Sequence, residues 1–304
     1  MLFRSEEGER SRLIGIVLSD VSGTEVATSG TPQFMASDWI INVDPSKLCP
    51  QDPHLVQRYV MAVFYFATEG GDWVECSAPL NVMDPVAVQS ADDNCNMIVT
   101  GDGIGSSNAW LSPSSECTWG GLACNLNMNI ERVQFQRNDV RGTLPSELIQ
   151  LSQLRFLILE EGILTGTIPS LLGNIVTLEE LDLNYNLMQG PLPESLFSLS
   201  NLSQLDLNDN EFSGTISSNF ALLTQLSFFQ IDQNKFTGTI PENFGSLSLL
   251  EVATMENNML QGTIPATVCQ LVSSKLAVLT SDCLLAPGRP SPPYVECSCC
   301  TRCY

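Results

Sequence analysis

A repeat of fixed length occupies the middle of the chain and constrains its fold more than any other feature. The segments GTLP, GTIP, GPLP, GTIS, GTIP and GTIP begin at glycines that follow one another at intervals of 24 residues. These glycines are Gly142, Gly166, Gly190, Gly214, Gly238 and Gly262. Six matches in one register are typical of a solenoid, in which each unit buries its apolar side chains only against its neighbours.

The other positions of the repeat have distinct structural tasks. An apolar triplet such as Leu178, Leu181 and Leu183 predicts a short strand whose leucines point inward while the residues between them point outward. An asparagine three residues after most triplets can satisfy buried backbone groups, and Gly162 interrupts this series in the second repeat. The asparagines are Asn138, Asn186, Asn210, Asn234 and Asn258. We therefore predict an α/β solenoid with a parallel β-sheet on its concave face and short helical turns on its convex face.

The pattern LxxLxLxxNxLxGxIP resembles the plant-type extracellular leucine-rich-repeat proteins, which include receptor ectodomains and polygalacturonase inhibitors. The segment WLSPSSECTWGGLAC is similar to the CxWxGVxC amino-terminal cap of that family, with Leu122 in place of the valine. The resemblance implies a disulfide between Cys117 and Cys124, and a Trp119 that packs under the first repeat. The stretch before this cap and the cysteine-rich tail are similar to secreted or surface repeat proteins of unicellular algae, so the resemblance covers residues 31–303.

The sequence divides into three regions. They are a helical and loop region at 1–129 that ends in the disulfide cap at 110–124, six 24-residue repeats at 130–267, and a cysteine-rich cap at 268–304. In the first region, Thr31-Pro32 and Asp52-Pro53 each predict a helix that begins with a capping residue followed by proline. The second of these helices has an apolar stripe from Leu55 to Ala67 and is expected to cover the open end of the solenoid.

The eleven cysteines lie towards the two ends of the chain, and none lies between residues 125 and 268. A zinc site is the alternative, but the chain has one histidine, His54, and a single irregular CxCCxxC run. Disulfides in an oxidising compartment are therefore favoured. Cys76–Cys95 is the preferred pair, which leaves Cys49 free or paired with a cysteine outside this chain. Fifteen pairings remain open for the six cysteines of the tail. These are Cys269, Cys283, Cys297, Cys299, Cys300 and Cys303.

The formal net charge is −21, from 34 acidic and 13 basic residues. This balance argues against binding to nucleic acid and against adhesion to an anionic membrane. No run approaches the ~20 apolar residues that span a bilayer. The apolar stretch Leu13–Leu18 is too short for the core of an export signal. We expect a secreted or cell-surface protein. Either its export signal precedes residue 1, which we favour, or it is exported by another route.

Alignment of the repeats assigns outward-pointing residues to the predicted concave face. Asp182 and Asp206 are expected to be direct neighbours, at a spacing where like charges repel. The candidate ligand-binding residues are Phe156, Glu160, Glu180, Asp182, Tyr185, Asp206, Asp209, Phe228, Asp232 and Glu256. One interpretation is that the carboxylates merely solvate the face. The other is that they bind a basic protein or peptide, with Phe156, Tyr185 and Phe228 as apolar anchors.

The sequence contains none of the common catalytic patterns. It has one histidine and no nucleophile elbow, phosphate loop or HExxH motif, which predicts a non-catalytic protein without a cofactor. The glycine-rich GDGIG at 101–105 is a weak signal because it follows no strand–helix unit. Residues 77–109 are predicted to form a long loop, and Asp92, Asp93 and Asp102 within it fit no EF-hand spacing, so no metal site is predicted.

The sequence Asn201-Leu202-Ser203 is an N-glycosylation sequon whose asparagine is expected to be exposed. Taken with the resemblance, these features predict an extracellular recognition module that binds a protein, a peptide or a cell-wall glycan. Two alternatives stay open. One is a structural or adhesive component of an extracellular matrix, and the other, implied by the resemblance alone, is an inhibitor of a secreted wall-degrading enzyme.

Overall fold

The computed structural model describes residues 2–97, 99, 107–283 and 295–304. The chain divides into two compact units, Met1–Leu154 and Arg155–Tyr304. Three features of the sequence lie outside the described residues. They are the GDGIG segment, Asp102 and residues 284–294 of the predicted carboxyl-terminal cap.

The first unit is mainly helical and ends with the first repeat. Its elements are α1 Leu2–Ser22, α2 Pro32–Asp38, α3 Leu55–Ala67, α4 Pro85–Asp93, β1 Leu122–Cys124, β2 Ile130–Gln136 and β3 Arg141–Gly142. Its short 3₁₀ helices are Gly23–Ala27, Gly70–Asp72, Glu116–Thr118 and Ser146–Gln150, and a π-helical turn spans Trp39–Val43. Strands β1 and β2 pair in antiparallel orientation.

The helix starts agree only in part with the prediction. Thr31 caps α2 as predicted, because its hydroxyl accepts a 3.1 Å hydrogen bond from the Phe34 amide. The predicted start of α3 at Asp52-Pro53 is wrong. The Asp52 carboxylate accepts a bond from the His54 amide at 2.9 Å and closes a turn, and the helix begins after that turn. The prediction of a long loop is also wrong, since Asp84 caps α4 within it.

Helix α3 packs against the first repeat, as the apolar stripe predicted. The ring of Phe64 stacks on Phe135 of β2 with centroids 6.1 Å apart. The side-chain oxygen of Gln57 accepts a 2.8 Å bond from the backbone amide of Ile130. These contacts shield the apolar side of the first coil from water, and they give the backbone amide of Ile130 a hydrogen-bond partner.

The amino-terminal cap confirms what the family resemblance implied. Cys117 and Cys124 form a disulfide. Trp119 is fully buried against Trp110, with ring centroids 5.4 Å apart, and Trp110 in turn contacts Phe135 of the first repeat at 5.6 Å.

A buried ion-pair cluster, which the sequence analysis missed, joins the elements of the first unit. The Arg58 side chain is 1% exposed and donates to both oxygens of Asp44, at 2.8 and 2.9 Å, and to Glu116 at 3.2 Å. Two backbone carbonyls accept its remaining donors. Its guanidinium lies 5.2 Å from the Trp39 ring and 4.8 Å from the Trp119 ring. All five donors of the nearly fully buried Arg58 guanidinium are therefore satisfied.

The second unit is built from repeated coils. Its strands are β4 Phe156–Glu160, β5 Ile163–Leu164, β6 Glu180–Asp182, β7 Gln189–Gly190, β8 Gln204–Asp206, β9 Glu211–Thr215, β10 Phe228–Gln230, β11 Lys235–Gly238, β12 Val252–Thr254, β13 Met259–Leu260, β14 Gly262–Thr263, β15 Val278–Ser281, β16 Val295–Glu296 and β17 Arg302–Cys303. Its helices are the 3₁₀ helices Ser170–Asn174, Glu194–Ser198, Ser218–Leu222 and Glu242–Ser246, and α5 Ala266–Val272.

Two sheets run along this stack of coils. Strands β4, β6, β8, β10, β12, β15 and β17 form a parallel ladder in that order, and β7, β9, β11 and β13 form a second ladder on the flank. The side chains of Leu181, Leu205 and Phe229, which face each other in the first ladder, are fully buried. Gly214 in β9 has a φ of +89°, a region that residues with a Cβ rarely adopt.

Each repeat asparagine ties its own coil to the preceding one. The Asn210 amide donates to the carbonyl of Leu183, one coil back, at 2.8 Å, and to Leu207 in its own coil at 3.2 Å. Its side-chain oxygen accepts a 2.9 Å bond from the amide of Met188, also one coil back. Equivalent bonds form at Asn186, Asn234 and Asn258. In the first repeat, Asn138 makes the corresponding pair of bonds to the backbone of Glu75.

The structure assigns the remaining disulfides. Cys76–Cys95 forms as predicted. The open pairings of the tail resolve into the bonds Cys269–Cys299, Cys283–Cys303 and Cys297–Cys300. Cys49 is exposed and bonded to no other cysteine of the chain. Among the described residues, no helix has both the length and the apolar character needed to cross a membrane.

Replacing Arg58 with alanine tests the buried ion-pair cluster. The substitution leaves the carboxylates of Asp44 and Glu116 buried without their cation, which typically costs 3–5 kcal/mol, so we expect a decrease of about that size in the free energy of unfolding in urea. The control is Arg12→Ala, which removes an exposed ion pair with Glu9 and should leave stability unchanged. Equal stability of both variants would contradict the assignment.

Candidate functional site

The parallel register of the second unit brings the predicted acidic residues together. Asp182 of β6 lies directly opposite Asp206 of β8, as expected. Ile158 of β4 flanks Asp182 on its other side, and Gln230 of β10 flanks Asp206. We call the outward positions of β4 to β12, with the residues that follow each strand, the carboxylate face.

Four carboxylates of this face are buried. The exposed fraction is 3% for Asp182, 5% for Asp206 and 9% for both Asp232 and Glu256. Neighbouring strands are only ~4.8 Å apart, so each short side chain is covered by those beside it. Glu160, Glu180, Asp209, Phe156 and Phe228 are half-buried. Tyr185 is 52% exposed.

Burial and charge repulsion change the acid–base properties of the pair. Burial, followed by repulsion from Asp206, raises the pKa of Asp182 to about 8 from an ordinary value of 3.8. Burial likewise raises the pKa of Asp206 to about 6. Hydrogen bonds from the backbone of Asn208 and the side chain of Asn184 lower this pKa, but burial outweighs them. Burial is also the main reason for the raised pKa of Asp232. The aspartates of the carboxylate face therefore ionise, and the face becomes more negative, as the pH rises from weakly acidic to weakly basic values.

A diagonal pattern of hydrogen bonds links successive coils across the face. The hydroxyl of Thr254 donates to Asp232 in the preceding coil, and the hydroxyl of Thr280 donates to Glu256 in the same way. Asp182 occupies the equivalent position opposite Glu160, with which it shares a hydrogen bond. Because two carboxylates cannot bond without a proton between them, this contact adds to the rise in the pKa of Asp182, after burial and the charge of Asp206.

A second line of polar groups borders the buried carboxylates. Asp209 forms a hydrogen bond with the hydroxyl of Tyr185 and accepts a 2.8 Å bond from Gln233 and a 2.9 Å bond from Asn208. Tyr185 and Asp209 have left-handed backbones, with φ of 50° and 53°, at a turn that recurs in each coil. The nearby charge of Asp209 raises the pKa of the Tyr185 phenol.

The two aromatic anchors on the strands occupy equivalent positions in different coils. Phe156 is in β4 and Phe228 in β10, and Glu180 and Gln204 lie between them in the same row. The guanidinium of Arg155 lies 4.9 Å from the Phe156 ring. The structure thus places the ten predicted residues on one face of the second unit, with the aromatic rings at the border of the acidic centre.

The sequence analysis did not select the polar partners of these acids. The backbone amide of Asn184 donates to Asp182 at 3.1 Å, and that of Asn208 donates to Asp206 at 3.3 Å. The repeat pattern could have identified these partners, since the two asparagines and Thr254 occupy outward positions in the same 24-residue register as the acids.

The Leucine Rich Repeat family profile matches residues 177–199 and 201–223. A comparison with curated proteins finds no match. The solved structure of PEPR1-AtPEP1 is 31% identical with a TM-score of 0.51, over 55% of this chain and 24% of that chain. The LRR ectodomain of the Arabidopsis receptor kinase HAESA, in complex with an extended IDA peptide hormone ligand, is 30% identical with a TM-score of 0.52, over 56% of this chain and 29% of that one.

A plant ice-binding protein is also similar, with a TM-score of 0.52 over 64% of this chain and 59% of that chain, but at 24% identity it shows the fold alone. The chain spans less than a third of the length of the two receptors. The repeats, the fold and these likenesses together define a leucine-rich-repeat protein. More particularly, the chain is similar to the LRR ectodomain of a plant receptor kinase.

The raised pKa values predict that stability falls as pH rises. Between the ordinary value of 3.8 and the folded-state values of about 6 and 8, the folded state binds more protons than the unfolded state, so raising the pH destabilises it. We expect the midpoint of thermal unfolding to decrease from pH 5 to pH 8.5. Asp182→Asn should reduce this decrease, because asparagine keeps a donor towards Glu160 and carries no charge.

The matched control for this measurement is Glu242→Gln, which removes an exposed carboxylate on a 3₁₀ helix of the same unit. It should leave the pH dependence as in the natural sequence. A wild-type protein equally stable at pH 5 and pH 8.5 would show that Asp182 and Asp206 are not buried as described.

Proposed function

We propose that this chain is a secreted or cell-surface recognition module that binds a protein or peptide on the carboxylate face and performs no catalysis. The observation that supports this most is the row of desolvated carboxylates on Asp182 and Asp206, bordered by the exposed ring of Tyr185 and the half-buried rings of Phe156 and Phe228. An acidic centre with aromatic borders suits a ligand that presents basic and apolar side chains together.

The relatives support a peptide or protein in preference to a glycan. The HAESA ectodomain, similar at 30% identity, is in complex with a peptide hormone ligand. The proposed location rests on the five disulfides, which persist in oxidising compartments. The basic character of the ligand is inferred from the chemistry of the face.

Neutralising the centre of the face tests the proposal. We expect Asp182→Asn combined with Asp206→Asn to weaken the binding of synthetic peptides that contain lysine and arginine by about tenfold or more. The reason is that the basic side chains of the peptide lose their buried carboxylate partners. Fluorescence anisotropy with a panel of labelled peptides measures the dissociation constants. Binding by the natural sequence should be stronger at pH 8 than at pH 5, since the carboxylates ionise over that range.

The control is Glu194→Gln with Glu242→Gln, which replaces the same number of carboxyl groups by amides on exposed 3₁₀-helix residues of the same unit. It should leave binding unchanged. The proposal is wrong if the Asp182 and Asp206 substitutions leave binding unaltered at both low and physiological salt. Concentration-dependent self-association in light scattering, without peptide binding, would instead indicate a structural matrix component.

The sequon provides a test of the proposed secretory route. Asn201 is exposed, and its side-chain nitrogen donates a 2.8 Å bond to the carbonyl of Val176. We expect protein secreted from eukaryotic cells to carry an N-linked glycan here, seen as a shift in mass that glycosidase treatment removes. Asn201→Gln should abolish the shift. Secreted protein whose mass equals that of the bare polypeptide would contradict this assignment.

A further inference from the structure

Three sulfur atoms from two different disulfides meet in the tail of the second unit. The Sγ atoms of Cys283, Cys297 and Cys300 all lie within 4.8 Å of one another. Cys297 and Cys300 are bonded to each other, whereas Cys283 is bonded to Cys303. Among the described residues this is the only such group of potential metal ligands, and it already holds its sulfurs in covalent bonds.

These disulfides are also accessible. Cys283, Cys297, Cys300 and Cys303 are half-buried, as are Cys269 and Cys299 of the third disulfide of the tail. The disulfides of the first unit are more completely enclosed, as in Cys117–Cys124, where both residues are at most 4% exposed. A thiol in solution therefore reaches the tail cluster before it reaches the cap of the first unit, and access is one of the factors that set the rate of thiol–disulfide exchange.

We propose that Cys283, Cys297 and Cys300 form a thiol–disulfide exchange site. A small dithiol first reduces the Cys297–Cys300 bond, donating two electrons and leaving two thiols while the dithiol becomes a disulfide. The Cys300 thiolate then attacks Sγ of Cys283. The Cys283–Cys300 bond forms as Cys283–Cys303 breaks, and the Cys303 thiolate leaves and takes a proton. The second step is redox-neutral, with one disulfide and two thiols before and after.

The exchange has a structural consequence at the end of the sheet. Cys303 belongs to β17, which pairs with β15 through Thr280 and Ser281. Besides the disulfide, this end is held by hydrogen bonds, among them a 3.0 Å bond from the Tyr304 amide to the Ser281 carbonyl and a 2.8 Å bond from the Thr301 amide to the Leu279 carbonyl. Breaking Cys283–Cys303 removes the covalent tie of β17 to the segment that follows β15. Opening of the hydrogen bonds then uncovers the edge of β15, whose backbone groups can pair with another strand.

A variant with one unpaired sulfur tests the exchange without a reductant. Cys297→Ser leaves the Cys300 thiol facing the Cys283–Cys303 bond. After incubation at pH 8, alkylation and non-reducing peptide mapping should find a mixture of Cys283–Cys303 and Cys283–Cys300. The control is Cys124→Ser, which leaves the Cys117 thiol without a comparable group of sulfurs among the described residues. Its other four disulfides should stay intact.

The same reaction is measured in the natural sequence with a limiting amount of dithiothreitol, so the test does not depend on a variant that folds. We expect alkylation of Cys303 together with a Cys283–Cys300 bond, and faster deuterium uptake at the backbone of β15. Alkylation confined to Cys297 and Cys300, with Cys283–Cys303 retained in both experiments, would overturn the proposal. So would loss of Cys117–Cys124 as early as the tail bonds.

Discussion

The asparagine amide inside the turn of every repeat except the second is the interaction on which the rest of this structure depends. Asn210 satisfies backbone groups of its own coil and of the preceding coil at once, and its equivalents repeat these bonds along the second unit. A buried backbone group without a partner costs about 1–3 kcal/mol, so a shifted coil loses several bonds together. The ladder thereby fixes the 24-residue register, and the register decides which side chains become neighbours.

The carboxylate face is a direct product of that register. Asp182 and Asp206 are 24 residues apart, so the stacking of the coils places them side by side. It does so although burial and mutual repulsion disfavour their ionised forms. Elsewhere in the stack a threonine hydroxyl fills the equivalent diagonal position and bonds the acid of the preceding coil without any such opposition. Threonine at Asp182 would suit stability better, and departures of this kind concentrate at functional sites. This is why we locate recognition here.

The sequence predicted most features that depend on periodicity and some that depend on local chemistry, although the start of α3 was wrong and the cap of α4 at Asp84 was missed. The repeat, the cap of Thr31, the packing of α3 and the pairing of Cys76 with Cys95 were all found in this way. The ion pairs of Arg58 join residues far apart in a region without repeats, so no spacing could reveal them. The burial of Asp182 was missed because alternation assigns a side chain to a face but does not show how closely its neighbours cover it. The pairing of the tail cysteines depends on the same unpatterned tertiary contacts.

The most direct test of this account is the titration of individual carboxyl groups by carbon-13 NMR. The chemical shifts of the Asp182 and Asp206 side chains report their ionisation, which depends on the stacking of β6 against β8. We expect Asp182 to titrate at about pH 8 and Asp206 at about pH 6. Titration of both groups near pH 4, as for solvated aspartates, would show that the coils do not place these residues side by side and out of water.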